Sequence, residues 1–287
     1  MSERILVTGA TAPVGRELVR LLVKAGAEVK AGTRHPERAA GLFDASVEVV
    51  ELDYGQPATF DAAVEWADRL FLQPPSFDPD AHQTLVPLLD WAVQAGTGHV
   101  VCVSAMGMEV REDLPLRRLE RHVASLGVDY TLLRPNFYMQ AYGEGFLGER
   151  IRRTSTFSMP VEDARVSLVD GRDVAAVAAT VLTSDEHFGE EYTLTGPAAL
   201  THEEIAEIIA AASERDVAFQ PCSDQEMLGW LTGAGWRADV AGVVIALYQS
   251  VRGGVRSQIT ADVTSVLGHS PMAFDQWAEE HEELWER

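Results

Sequence analysis

A doubly wound α/β fold with a smaller, mostly helical C-terminal lobe is what this sequence predicts, and three observations predict it. Short apolar segments alternate with helical ones through the first half of the chain, which is the pattern of βαβ units and a parallel sheet. The first apolar segment runs through a glycine loop directly into an amphipathic helix. Beyond Pro135 the alternation loosens into glycine-containing stretches and mostly helical segments.

Strands are expected at Arg4 to Thr8, Ala27 to Thr33, Val47 to Leu52, Arg69 to Leu72, His99 to Ser104 and Tyr130 to Arg134, each a short apolar run followed by turn residues or a helical pattern. Between them, Val14, Leu18, Leu21 and Leu22 form one helical stripe and Leu85, Leu88, Leu89, Ala92 and Val93 another, both suited to covering a sheet. Later segments predict a strand at Arg165 to Val169, a helix from Arg172 to Leu182 and a strand at Tyr192 to Thr195. Thr201, with Glu204 three residues on, forms a capping box and starts another helix. The expected division is a dinucleotide-binding domain over 1–150 and a substrate lobe over 151–287, interleaved with the sheet through the strands near 165–169 and 192–195.

Composition narrows the function. Forty-four acidic against 23 basic residues leave a net charge of −21 over 287 residues, a balance that repels phosphate backbones and anionic lipid surfaces, so no nucleic acid or membrane partner is expected. No stretch approaches the roughly eighteen apolar residues of a membrane span, and no leader pattern precedes the first strand, so a cytoplasmic location is expected. Cys102 and Cys222 give neither metal spacing nor a disulfide framework. The chain has no metal-spaced His/Cys/Asp/Glu grouping and no serine elbow, which disfavours metal and hydrolytic chemistry.

The glycine loop Val7-Thr8-Gly9-Ala10-Thr11-Ala12-Pro13-Val14-Gly15 leaves a strand, turns tightly and enters a helix whose first-turn amides attract a diphosphate. Gly9 permits the turn and Gly15 the close approach of the helix, whereas Ala12 stands where a middle glycine is more usual. Thr11, Ala12, Pro13 and Val14 complete the expected cofactor loop. An NAD site usually places a carboxylate at the end of the second strand, but here that strand ends Ala31-Gly32-Thr33-Arg34-His35-Pro36. Arg34 is placed to pair with a 2′-phosphate, so the expected cofactor is NADP(H). Asp53 either reaches the adenine amine or caps the following helix.

Seven stretches, ILVTGATAPVGRELVRLL, TRHPERA, VSAMG, LRPNFYMQ, VSLVDGRDVAAVAA, YTLTGPAALTHEEIA and VLGHSPMAFDQWA, occur in this order over nearly the whole chain. Together they resemble the NmrA-like branch of atypical short-chain dehydrogenases. The resemblance implies a Rossmann doubly wound sheet, a smaller lobe, a cleft between them, and NADP(H) along the strand ends. Tyr54, Gln73, Ser104 and Pro135, at the ends of successive strands, are the further cofactor contacts expected on that basis. Activity in the family is not uniform: some members look like quinone or enone reductases or tailoring reductases, and others bind the cofactor without turnover.

Typical short-chain dehydrogenases use a tyrosine acid assisted by a lysine four residues later. Only Lys24 and Lys30 exist here, and no tyrosine has a lysine four residues on. Ser104, where the wider superfamily puts a serine beside the substrate carbonyl, is the one catalytic candidate, as a donor to a developing oxyanion. Glu120 falls where relatives carry a glutamate or lysine facing the nicotinamide ribose. Asp170 reads as a helix N-cap, and His122 as structural. Phe137, Tyr138 and Tyr142, with Met106, are expected to wall a pocket for a flat apolar substrate. Trp230 and Trp236 bracket Leu231-Thr232-Gly233-Ala234-Gly235, read as a lid loop. Two functions stay open: an NADPH-dependent reductase of an apolar carbonyl, enone or quinone-like small molecule, and a non-catalytic NADP(H)-binding sensor acting through a protein partner.

Overall fold

The computed structural model describes residues 3–39 and 41–286. In chain order the elements are β1 (Arg4–Val7), α1 (Pro13–Lys24), β2 (Glu28–Thr33), α2 (Pro36–Ala39), β3 (Glu48–Glu51), α3 (Phe60–Val64), β4 (Arg69–Leu72), α4 (Ala81–Gln94), β5 (His99–Val103), α5 (Pro115–Ser125) and β6 (Asp129–Pro135). There follow α6 (Gly145–Thr154), β7 (Thr156–Phe157), α7 (Gly171–Leu182), β8 (Glu191–Leu194), α8 (His202–Ser213), β9 (Ala218–Phe219), α9 (Asp224–Gly233), α10 (Ala238–Arg252), α11 (Asp262–Leu267) and α12 (Phe274–Glu279).

The chain forms two compact units. The first comprises residues 1–76, 80–134 and 172–193, and the second residues 77–79, 135–171 and 194–287. A boundary at 150 would cut α6, which lies wholly in the second unit. The chain returns to the first unit because β8 needs a strand neighbour and finds one in β6, where the Leu132 amide donates to the Glu190 carbonyl at 3.0 Å. The first unit thus holds a seven-stranded sheet of order β3-β2-β1-β4-β5-β6-β8, a doubly wound parallel sheet as expected, with β8 as its seventh strand.

The inner strands are buried on both faces, which is why they read as continuous apolar runs rather than alternating ones. Every residue of β4 and β5 is buried. Leu6, Leu70, Leu72, Val100, Cys102 and Leu132 form one face of the sheet and pack against Leu85, Leu88, Leu89 and Ala92 of α4 and Leu119 and Val123 of α5. The α1 stripe of Val14, Leu18, Val19 and Leu22 is buried, and the helix packs on β1 and β2. The edge strand β3 is shorter than expected and half-exposed, since it has a single sheet neighbour.

In the second unit β7 and β9 form a two-stranded parallel sheet among helices. Its core gathers Tyr142, Phe157, Ile205, Ile209, Met227, Trp277 and Trp285. The capping box is present, with the Thr201 side chain accepting from the Glu204 amide and the Glu204 carboxylate from the Thr201 amide. The strand expected at Arg165 to Val169 does not form. That segment makes only isolated bridges, Val169 to Tyr138 and Val166 to Leu200. The polar groups of Ser167 go elsewhere: its amide donates to the Arg256 carbonyl at 2.9 Å, its hydroxyl to the Gln258 carbonyl at 2.6 Å, and the Ser167 carbonyl accepts from the Asn136 side chain at 2.9 Å.

One buried ion-pair network ties α5 to the sheet. The Glu120 side chain is fully shielded and accepts from Arg117 at 2.6 Å and from Arg134 at 2.8 and 3.0 Å. Arg134 reaches Glu191 of β8 at 2.7 Å, and Arg117 reaches Glu112 at 3.1 Å. Burial by itself would raise the Glu120 pKa, but the hydrogen bonds of Arg134, Ser104 and Arg117 and the charge of Arg134 outweigh it and hold the carboxyl below the usual carboxylate range. Glu120→Gln removes the one fully buried carboxylate shared by two buried guanidinium groups, leaving them only the partly exposed Glu191 and Glu112, and should cost about 3–5 kcal/mol in urea unfolding. A loss under about 1 kcal/mol would show that water or Glu191 takes over.

In the second unit His202 is buried and bonds the Tyr142 hydroxyl at 3.0 Å. Burial pushes its pKa from 6.5 down to about 4. Between those values the unfolded chain takes up a proton that the folded one refuses, so this contribution is intact above about pH 6.5 and is lost as the pH falls toward 4. The stability of His202→Gln should therefore fall less steeply than wild type across that window, by up to about 1.4 kcal/mol per pH unit. Parallel pH profiles by thermal unfolding would exclude this role for the histidine.

Candidate functional site

All strands of a parallel sheet end on the same side, and in this order the winding reverses between β1 and β4. The helices leaving those strands diverge, so the crevice outside their C-terminal ends is where such sheets take ligands. The glycine loop follows β1, Arg34 follows β2, Asp53 lies just past β3, Gln73 follows β4 and Ser104 follows β5. These five sequence-predicted positions therefore lie along one edge of the first unit.

The loop geometry explains its glycines. Gly9 has φ of +60°, which side-chain-bearing residues rarely adopt, and a Cβ there would lie 3.0 Å from Gln73 Cγ. A Cβ on Gly15 would lie 2.3 Å from the Gly9 carbonyl oxygen, so no side chain fits between helix and turn. The Ala12 amide closes the turn on the Gly9 carbonyl at 2.9 Å. Helix α1 then starts at Pro13 with Ala12 as N-cap, no side-chain cap and no acidic residue in its first turn. Its positive end is left to an outside anion. Thr11 and Pro13 are exposed beside it. The residues fit the diphosphate of a dinucleotide.

Around this loop the groups hold one another. The Thr8 hydroxyl accepts from the Gln73 amide at 2.9 Å, and the Tyr54 hydroxyl donates to the Gln73 carbonyl at 3.0 Å. Asp53 accepts from the Gly55 amide at 3.0 Å and the Gln56 side chain at 2.7 Å, bonds that hold its carboxyl below the usual range. Its carboxylate thus closes a turn and does not cap the following helix, whose N-cap residue is Thr59. Arg34 is exposed at the end of β2, and among the described residues its guanidinium has no ion pair or hydrogen bond.

The Ser104 hydroxyl is shielded from solvent and lies beside the Glu120 carboxylate, whose pKa it helps to lower. Met106, two residues on, is buried in the same turn. Glu120 is committed to Arg117 and Arg134, so its carboxylate has no free side to offer a ribose. Of the two lysines, Lys24 ends α1, and Lys30 is spent on the Ala62 carbonyl at 3.0 Å, Glu48 at 3.4 Å and the Trp66 ring. His122 is structural, as read from sequence, and bonds Asp90 at 2.7 Å. Asp170 immediately precedes α7 and accepts from Gln140 at 2.7 Å.

The remaining expected contacts belong to the second unit. Pro135 ends β6 and is buried. Phe137 is half-buried and stacks on Tyr248 with centroids 6.3 Å apart. Tyr138 keeps a shielded hydroxyl with no partner among the described residues, and burial raises its pKa. Tyr142 does not line a substrate wall: it is fully buried, edge-on to Phe157 and Phe274, with its hydroxyl on His202. The expected lid is mostly helix, since Leu231 to Gly233 are the last turn of α9 and only Ala234 and Gly235 lie beyond it. Trp230 is partly exposed under the Arg150 guanidinium, and Trp236 packs near Phe77. Sequence reasoning missed Thr8, Arg117, Arg134 and Arg150. The three-residue spacing of Arg117 and Glu120 was the one legible signal among them.

The NmrA-like family model matches residues 1–241. The chain is 33% identical over 287 residues to the (4-alkanoyl-5-oxo-2,5-dihydrofuran-3-yl)methyl phosphate reductase of Streptomyces griseus, covering 98% of this chain and 99% of that one. It is 30% identical over 281 residues to the NAD(P)H azoreductase of Xenophilus azovorans, covering 96% and 97%. Among solved structures, the Citrobacter sp. triphenylmethane reductase complexed with NADP(H) matches with a TM-score of 0.82 at 25% identity, over 98% of this chain and 99% of that one. The Escherichia coli NADPH-dependent quinone oxidoreductase, with a TM-score of 0.85 at 22% identity over 96% and 99%, shares the fold. From the glycine loop of β1 to the helices of the second unit, the chain belongs to the NmrA-like family.

Proposed function

We propose that this protein is an NADP(H)-dependent reductase of a flat, apolar small molecule with a carbonyl, enone or quinone-like acceptor. The observation that carries this reading is an asymmetry of the sheet in the first unit. At the N-terminal ends of the strands the charged groups are paired, Arg4 with Asp68 and Arg69 with Glu3 and Asp185. At the C-terminal ends the Arg34 guanidinium is exposed with no ion pair or hydrogen bond among the described residues, and the Ser104 hydroxyl is shielded from solvent beside Glu120. Two full-length relatives at 30% identity or more, both reductases, support the same reading.

Bound NADPH would supply the hydride. The α1 amides behind Gly9 and Gly15 hold its diphosphate, and Arg34 forms a charge-assisted fork with its 2′-phosphate. Tyr54 and Thr8 fix Gln73 against Gly9, which keeps the turn in shape. Ser104 donates a hydrogen bond to the oxygen on which charge develops. Glu120 has no part in the proton transfer, because two arginines keep it ionised. We assign Met106, Phe137, Tyr138, Trp230 and Trp236 to the substrate side, with Tyr138 as a second hydroxyl that burial keeps protonated.

A second reading, cofactor binding without turnover, draws on the lysines: there are two, and Lys30 is already engaged by Ala62, Glu48 and Trp66. Loss of NADPH absorbance with a panel of quinones, enones and aryl ketones separates the two. Turnover of at least one class is expected, and tight NADPH binding with no turnover of any would leave the sensor. Arg34→Ala should weaken NADPH binding by about 1.5–3 kcal/mol and NADH binding hardly at all, as measured by titration calorimetry. Equal losses for both would remove Arg34 from the 2′-phosphate.

A further inference from the structure

Arginine in this acidic chain is almost always spent when it is withdrawn from solvent. Arg69 holds Glu3 and Asp185, Arg117 and Arg134 share Glu120, Arg252 holds Asp224, and Arg215 holds the carbonyls of Trp285 and Ile151. Arg150 of α6 is different. It is half-buried, and among the described residues its guanidinium makes no hydrogen bond and no ion pair. Its Nε is shielded from solvent without an acceptor, a costly state for a charged donor unless something else satisfies it. The carbon of the guanidinium lies 5.0 Å from the centroid of Trp230, which is itself 37% exposed.

The neighbouring carboxylates are already committed. Arg150 lies within electrostatic range of Cys222, as do Glu226 and Asp224. Glu226 closes the capping box of α9, accepting from the Ser223 amide at 2.8 Å and hydroxyl at 2.7 Å. Asp224 accepts from Arg252 at 2.8 and 2.9 Å and from Gln249 at 2.9 Å. Glu149, next in sequence, pairs with Arg153 at 3.4 Å. Among the described residues none of these three carboxylates pairs with Arg150.

We infer that Arg150 and Trp230 form an anchor for a flat apolar molecule that carries an oxyanion group, a carboxylate, sulfonate or phosphate. The indole supplies a broad apolar surface and holds the guanidinium by cation–π attraction, while the planar fork offers paired donors to two oxygens of one anion. Against a net charge of −21, such a ligand is repelled at long range, so a dedicated local cation is what lets it dock. The inference rests on the reductase reading and refines it: the substrate is not merely apolar but has an anionic end.

Binding of naphthalene-2-sulfonate and of neutral 2-naphthol, followed by titration calorimetry on the full chain without NADPH, tests this. Wild type should bind the sulfonate at least about tenfold more tightly, the advantage of a charged hydrogen bond over none. Arg150→Gln should erase that preference and leave NADPH affinity unchanged. Trp230→Leu should weaken both probes while the sulfonate keeps its lead. Equal binding of the two probes by wild type overturns the proposal without any variant, as does an undiminished preference in Arg150→Gln. Arg150→Lys, which keeps the charge but not the fork, covers a failure of Arg150→Gln to fold and should retain a reduced preference. If no acceptor is turned over and sulfonate binding still depends on Arg150, the anchor stands and the reductase reading alone falls.

Discussion

The reversal of winding between β1 and β4 is the constraint on which the first unit depends. Parallel strands cannot be joined by tight hairpins, so each must be followed by a crossover that returns the chain to the same side. Where successive crossovers go in opposite directions, two strand ends lie open next to each other. The turn at Gly9, the contact of α1 with it at Gly15, and Gln73 facing the turn from β4 are arranged around that opening. The contact is tight enough that a single methyl group at Gly15 would meet the Gly9 carbonyl, so the cradle is a property of packing as much as of sequence.

The same sheet separates stability from chemistry along its strands. Its N-terminal edge is closed by surface and half-buried ion pairs around Arg4, Arg69 and Asp185. Deeper, the Arg117–Glu120–Arg134 network fixes α5 and β8 to β6. A charge buried there tolerates no loss of its partner, which makes Glu120 a poor participant in a reaction that moves protons. At the C-terminal edge Arg34 is exposed with no ion pair or hydrogen bond among the described residues and Ser104 is shielded from solvent beside Glu120, positions that leave both open to a role. The reductase reading gives Ser104 and Arg34 such a role, and the anionic anchor gives one to Arg150.

Much of this was legible in the sequence. The strand, glycine loop and helix at the start, the six leading strands, and the capping box at Thr201 all depend on residues within a few positions of one another. Arg34 was legible for the same reason: it is fixed by its distance from the end of β2. The role of Glu120 was not legible, because Arg134 is 14 residues away and Glu191 further still. Nor was the commitment of Tyr142 to the core, which follows from Phe157, His202 and Phe274 arriving from three separate segments. The span 165–169 had the apolar pattern of a strand, yet the buried needs of Asn136 and Ser167 drew its backbone into other bonds.

The sequence by itself determined the class of the fold, the place of the glycine loop and the shortage of lysine, because periodicity, turn chemistry and composition are local or additive properties. Only the tertiary structure decided that the long second-unit segment starts at Pro135, that the stretch between Trp230 and Trp236 is mostly helix, and that the half-buried Arg150 has no hydrogen bond or ion pair among the described residues. The physical reason is that a side chain's partner, and whether it has one, is set by segments far apart in the chain that compete to satisfy the same buried charge.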